Sequence, residues 1–120
     1  MCENRFVNEM DWNRKIALNE QIRSILFDAR SFMGADPGGP MGHNYGGRAI
    51  SLISLKRVVD GVSNLPEEFF ESHPEFPWRK MLDKWDRIAN AGPGVCNYIV
   101  HYDVVSDLHR LERILESALR

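Results

Sequence analysis

Residues 48–82 read "RAISLISLKRVVDGVSNLPEEFFESHPEFPWRKML", and the period of their apolar residues decides the fold. Leu52, Leu55, Val59 and Val62 fall at steps of three, four and three, the spacing of one face of an α-helix. Ile53 and Val58 are expected to widen that seam, and Lys56, Arg57 and Asp60 supply a charged outer face. Pro66 then starts a short helix, "PEEFFESH". Its missing N–H is harmless there, and Glu67 and Glu68 suit the positive end of the helix dipole. "HPEFP" forces an extended turn, because a residue before proline avoids the helical region. Pro77 opens the next helix, "PWRKMLDKWDRIANA", whose stripe is Trp78, Met81, Leu82, Trp85, Ile88 and Ala89.

Working outward, the same period continues on both sides. Trp12, Ile16, Ile22, Ile25, Leu26, Ala29 and Met33 place a long helix before the quoted stretch, with Asn8 or Asp11 as its expected cap. Between the two lies "MGADPGGPMGHNYGG", residues 33–47, with six Gly and two Pro. That content reads as a long loop, since each interior Gly costs a helix about 1 kcal/mol and each Pro about 3. It lacks the Gly-Lys-Ser/Thr ending of a phosphate loop. On the C-terminal side, Gly92-Pro93-Gly94 stops the helix, and a last one is expected from about Tyr98 to Leu119. Its seam is Val104, Leu108, Leu111, Leu115 and Ala118, with Ile114 alongside. A β-branched run from Val95 to Val105 would have no strand partner. The expected fold is all-α: a compact bundle of about five helices, a single domain over residues 1–120.

Composition narrows the function. A net charge of −2 and a pI near 6.1 exclude an overall basic field of the kind that gathers nucleic acid, though not a local patch. The apolar runs are too short for a transmembrane span, and "MCENRFVNEMDWNRK" has charges where a signal peptide has none. Cys2 and Cys96 are too unevenly placed for a disulfide framework and read as free thiols of a cytoplasmic protein. No ligand spacing points to a metal, and no motif points to a cofactor.

The quoted stretch also resembles a known family. Arg48-Ala49-Ile50 opening a helix, then Leu65-Pro66-Glu67-Glu68-Phe69, then His73-Pro74-Glu75-Phe76-Pro77-Trp78, follow one another as in the HepT-like family of the HEPN superfamily. The looser helical pattern carries the resemblance from about Trp12 to the C-terminus. It implies an all-α bundle that pairs as a homodimer. Many such proteins are ribonuclease toxins encoded beside a minimal nucleotidyltransferase antitoxin. Their catalytic motif is Arg, four to six residues, His, any residue, Tyr, just after the helix that begins Pro-Trp. It acts on RNA without a metal, and the antitoxin can add AMP to the Tyr.

Counted from Pro77-Trp78, that motif lands on Trp85 for the Arg, Asn90 for the His and Gly92 for the Tyr. A slip of one or two residues brings Lys84 or Arg87 near the Arg slot, but none recovers the His. RNA cleavage needs a group that transfers a proton near neutral pH, and an amide does not. The resemblance with a degenerate motif therefore implies a toxin–antitoxin protein that acts by homodimerisation and by binding a nucleotidyltransferase partner or RNA. Arg87, His101 and Tyr102 are the substitutes that an active, rearranged ribonuclease would use. A purely structural or regulatory helical interaction module is the third reading. Lys80, Lys84 and Arg87, at steps of four and three, are the candidates to meet RNA phosphates. The "PWRKMLDKWDRI" helix and part of the last one form the expected dimer face. Beside these stand plainer readings: Trp78, Met81, Trp85 and Ile88 as core or interface, His73 as a turn residue, His43 as a solvated loop residue, and His101 and His109 as ordinary positions on the last helix.

Overall fold

In the computed structural model the described residues are 2–35, 45–92 and 98–119, with backbone alone for 2–11, 45, 47 and 98. They form α1 (Cys2–Gly34), α2 (Tyr45–Ser63), α3 (Glu67–Ser72), α4 (Trp78–Ala91) and α5 (Tyr98–Ala118), with no strand among them.

Four long helices run up and down, with α3 as a connector. Gln21 Nε2 donates to the Asn64 carbonyl at 3.2 Å, and Ile25 lies against Gly61, so α1 and α2 are antiparallel. Lys84 reaches Asp103 and Asp107, while Phe76 at the start of α4 lies under Arg110, so α4 and α5 are antiparallel as well. Arg30 closes the ring between α1 and α5, with Nε 2.9 Å from Glu112 Oε2 and Nη2 2.6 Å from Glu116 Oε1. The Arg30 hydrogen bond holds the Glu112 carboxyl below its ordinary range, against the opposing effect of partial burial. Arg30 is exposed, so solvent screens the pair and its contribution to stability is small.

The core lies where the seams meet. Ile22, Ile25, Leu26, Ala29 and Phe32 come from α1, and Leu55, Val58, Val59 and Val62 from α2. Met81 and Trp85 come from α4, and Val104, Leu108, Leu111 and Leu115 from α5. Fully burying one such aliphatic side chain stabilises the fold by about 1.5–3 kcal/mol. The turn between α3 and α4 is built as its prolines dictate. Pro66 precedes α3 with φ −64 and ψ 149, and its carbonyl accepts from Phe69 N at 2.9 Å. His73, before Pro74, is non-helical at φ −130 and ψ 60. Its Nδ1–H donates to the Phe69 carbonyl at 3.0 Å, and its own carbonyl accepts from Trp78 Nε1 at 2.9 Å.

Four sequence expectations need correction. The first helix does not start at a cap on Asn8 or Asp11; α1 runs from Cys2. Trp12 and Ile16 are 61% and 42% exposed because, at about 100° of turn per residue, they lie off the face that carries Ile22, Ile25, Ala29 and Phe32, while Arg14, Lys15 and Leu18 on the other side of the helix stand beside α3 and Ala118. Met33 is partly buried against the core, with its neighbour Phe32 fully buried, whereas Ile53 lies outside the arc facing α1 and α4, at 54% exposed. The Gly-rich loop is shorter than its composition suggests, since residues 33–34 and 45–47 are helical. Its centre with His43, and Pro93, Gly94 and Cys96, lie outside the described residues, as does the side chain of Cys2. Among the described residues no helix is long and apolar enough to cross a membrane.

Gly61 sets how closely α1 and α2 approach. A Cβ there would sit 2.7 Å from Ile25 Cγ1, which is attached directly to the branched Cβ and has little freedom to move. Gly61→Ala should therefore destabilise the protein by about 1–2 kcal/mol despite the better helix propensity of Ala. In an Ile25→Ala background the same change should be neutral or stabilising. Urea denaturation of the four proteins of this cycle measures it.

Candidate functional site

The α4–α5 seam is where the resemblance places the chemistry, and its residues have structural roles. Trp85 points from α4 into the core with no exposed surface. Its ring lies 6.2 Å from that of Phe76, and its Nε1–H donates to Asp107 Oδ2 at 3.3 Å. The same oxygen accepts from Lys84 Nζ at 2.8 Å, and Lys84 also reaches Asp103 Oδ2 at 2.6 Å. Partial burial disfavours the ammonium charge, but the hydrogen bonds that Lys84 donates to Asp103 and Asp107 outweigh it and the Lys84 pKa is raised. Asp103 and Asp107 are four apart on α5, so one helical face presents both carboxylates to one cation. Neither Asp was singled out in the sequence. The available signal was that spacing on a helix facing Lys84, which only a known pairing of α4 with α5 makes readable.

The other two motif positions lie on the surface or at the end of α4. Asn90 is exposed and turned back along its own helix, Nδ2 donating to the Asp86 carbonyl at 2.9 Å and to Asp86 Oδ1 at 3.1 Å. Gly92 ends α4 at φ +93, a conformation that side-chain-bearing residues rarely adopt. The three positions on which the expected motif falls hold a core indole, an amide tied to its own helix, and a glycine of positive φ.

The substitute residues are dispersed. His101 is fully buried, its ring stacked on Phe32 at 4.5 Å and 16°. Tyr102 is exposed and meets His101 edge-on at 5.3 Å. Arg87 is exposed on α4 and donates to the Asp83 carbonyl at 3.4 Å. The buried imidazole is shielded from a phosphodiester in solvent, so this arrangement supplies no open proton-transfer group at the seam. Of the cations proposed for RNA, Lys80 and Arg87 are exposed and Lys84 is engaged by two carboxylates. Among the described residues no group of three His, Cys, Asp or Glu is placed to hold a metal.

The chain is similar to two curated proteins. A protein of Methanocaldococcus jannaschii named "Putative RNase" is 31% identical over 70 residues, 54% of this chain and 57% of that protein. A second "Putative RNase", from Caldanaerobacter subterraneus subsp. tengcongensis, is 28% identical over 67 residues, 56% of this chain and 60% of that protein. The match thus spans little more than half the length of either relative. Their names agree with the ribonuclease family that residues 48–82 resemble. No family model matches the chain, and no solved structure matches it.

A direct consequence concerns Trp85. Placing at this position the Arg of the expected motif, Trp85→Arg, removes a core indole and buries a guanidinium. It should cost at least about 3–5 kcal/mol and leave the protein largely unfolded in a thermal melt. Trp85→Phe, which keeps most of the apolar volume, should remain folded.

Proposed function

We propose that this protein is a HepT-like member of the ribonuclease toxin family that no longer cleaves RNA and acts by binding. It works as a homodimer that engages a minimal nucleotidyltransferase partner or RNA in a toxin–antitoxin setting. The observation that carries this reading is the α4–α5 seam: Trp85 fills the Arg position as core, and Asp107 holds its N–H.

Chemistry supports the same conclusion. Cleavage of a phosphodiester needs proton transfer and stabilisation of developing phosphate charge. Asn90 hydrogen-bonds but does not titrate, and Lys84 is already neutralised by Asp103 and Asp107. Loss of a general acid–base alone removes about 10²–10⁴ in rate. Gly92 offers no hydroxyl for AMP, so a nucleotidyltransferase partner would be held by contact without modification at that position. RNA contact falls to Lys80 and Arg87, whose charges remain open to solvent and whose binding weakens steeply with salt.

The test incubates the protein with single-stranded RNA and tRNA, with and without a chelator, and follows both cleavage and band shift. The expected result is intact RNA throughout, with any shift weakened by added salt and by Lys80→Ala or Arg87→Ala. Cleavage that survives chelation and is lost with Arg87→Ala or His101→Ala would overturn the reading in favour of a rearranged site.

A further inference from the structure

An open pocket of about 940 Å³ lies where α1 passes α3 and the end of α5, and α4 contributes nothing to it. One face of α1 forms its first wall: Arg14, Ala17, Leu18 and Gln21 fall at steps of three, one and three, with Lys15 beside them. Leu18, Phe69 and Ala118 make an apolar floor, and Glu68 and His73 stand on the opposite wall.

The two ends of the pocket differ in chemistry. At one end Gln21 Nε2 donates to the Asn64 carbonyl at 3.2 Å, and the Gln21 Oε1 and the Asn64 side-chain amide face the same place with no bond among the described residues. Arg14 and Lys15 stand about 10 Å back along α1, two helical turns away. Both are exposed, and among the described residues neither is ion-paired. Glu68 is the one carboxylate of the described lining, set against these two cations. His73 adds a directed group. Its Nδ1–H is held by the Phe69 carbonyl at 3.0 Å, so the neutral ring keeps Nε2 as an acceptor, and Nε2 is open to solvent with no partner among the described residues.

Each feature selects a part of one ligand. Two free cations at one end favour a phosphate monoester. An apolar floor takes a flat ring, and amides at the far end read a hydrogen-bonding edge. A carboxylate repels phosphate but accepts from ribose hydroxyls. Inorganic phosphate would leave the floor and the amides unused. The span from Arg14 to Gln21 matches a single nucleotide from its phosphate to its base edge. We infer that this pocket binds a free nucleoside monophosphate, its phosphate on Arg14 and Lys15, its ribose at Glu68 and its base on the Leu18–Phe69–Ala118 floor, with the base edge toward Gln21 and Asn64. His73 Nε2 accepts from a hydroxyl or amine of the ligand. This goes beyond the function proposed above and does not depend on it; RNA cleavage by the wild-type protein would sink that reading and leave this one standing.

NMR titration of the ¹⁵N-labelled full chain with AMP, GMP, CMP and UMP in turn tests the site. At least one should bind with a Kd of about 1 mM or tighter, with amide shifts gathered at residues 14–21 and 64–73. Its nucleoside, which lacks the phosphate, and inorganic phosphate, which lacks the base, should each bind at least about tenfold more weakly. Arg14→Ala with Lys15→Ala, at exposed positions, should weaken the nucleotide by about tenfold or more, whereas Lys56→Ala with Arg57→Ala, on the outer face of α2, should not. His73→Asn keeps a donor for the Phe69 carbonyl and removes Nε2, so it should weaken binding while circular dichroism stays unchanged. No binding by any of the four, shifts gathered elsewhere, or a nucleoside or inorganic phosphate that binds as tightly as the nucleotide would overturn the inference. So would full affinity in the Arg14 and Lys15 double variant or in a folded His73→Asn protein. A single-stranded RNA that binds these residues more tightly than every mononucleotide would overturn it as well, in favour of an RNA surface.

Discussion

Trp85 is the residue on which the rest of this structure depends. Placing an indole with no exposed surface under α5 fills the space between α4 and the rest of the bundle, and its one polar atom must then find a partner. Asp107 provides it, and Asp107 needs a cation in turn, which Lys84 supplies from the neighbouring position on α4. A second carboxylate, Asp103, raises the Lys84 pKa further. One core choice thus fixes a chain of polar contacts across the seam between α4 and α5. On the function proposed above, packing occupies the space that a ribonuclease motif would need for an open Arg.

The remaining helices follow from simpler demands. Gly61 lets α1 and α2 approach until Ile25 touches the backbone of α2, and Arg30 ties the far side of α1 to α5 through Glu112 and Glu116. The proline-bounded turn from Pro66 to Pro77 sets α3 across one end, with the Trp78 N–H on the His73 carbonyl fixing the entry into α4.

Much of the fold was legible in the sequence, for a definite reason. Leu52, Leu55, Val59, Val62, Leu108, Leu111 and Leu115 repeat at helical steps and are buried, because a two-turn seam has only one way to hide. The period breaks at the start of α1, where the step from Ile16 to Ile22 is six residues, so Trp12 and Ile16 lie off the buried face and are exposed. Ile53 flanks the seam in sequence, yet the arc covered by α1 and α4 ends before it. At the candidate site, counting from Pro77-Trp78 leads to Trp85, Asn90 and Gly92, and the structure shows what each of these residues does. The polar contacts of that seam were not legible, since Asp103 and Asp107 become partners of Lys84 only once α5 lies antiparallel to α4.

The central claim is that position 85 is built for packing and held shut. The measurement that meets it most directly is hydrogen exchange of the three tryptophan indole N–H groups, followed by NMR on the ¹⁵N-labelled protein. Trp85, buried and bonded to Asp107, should exchange only through opening that approaches global unfolding, while the exposed Trp12 exchanges nearly as a free indole. A Trp85 indole that exchanges as fast as that of Trp12 would mean the seam opens readily, and the account of a closed, non-catalytic position would be contradicted.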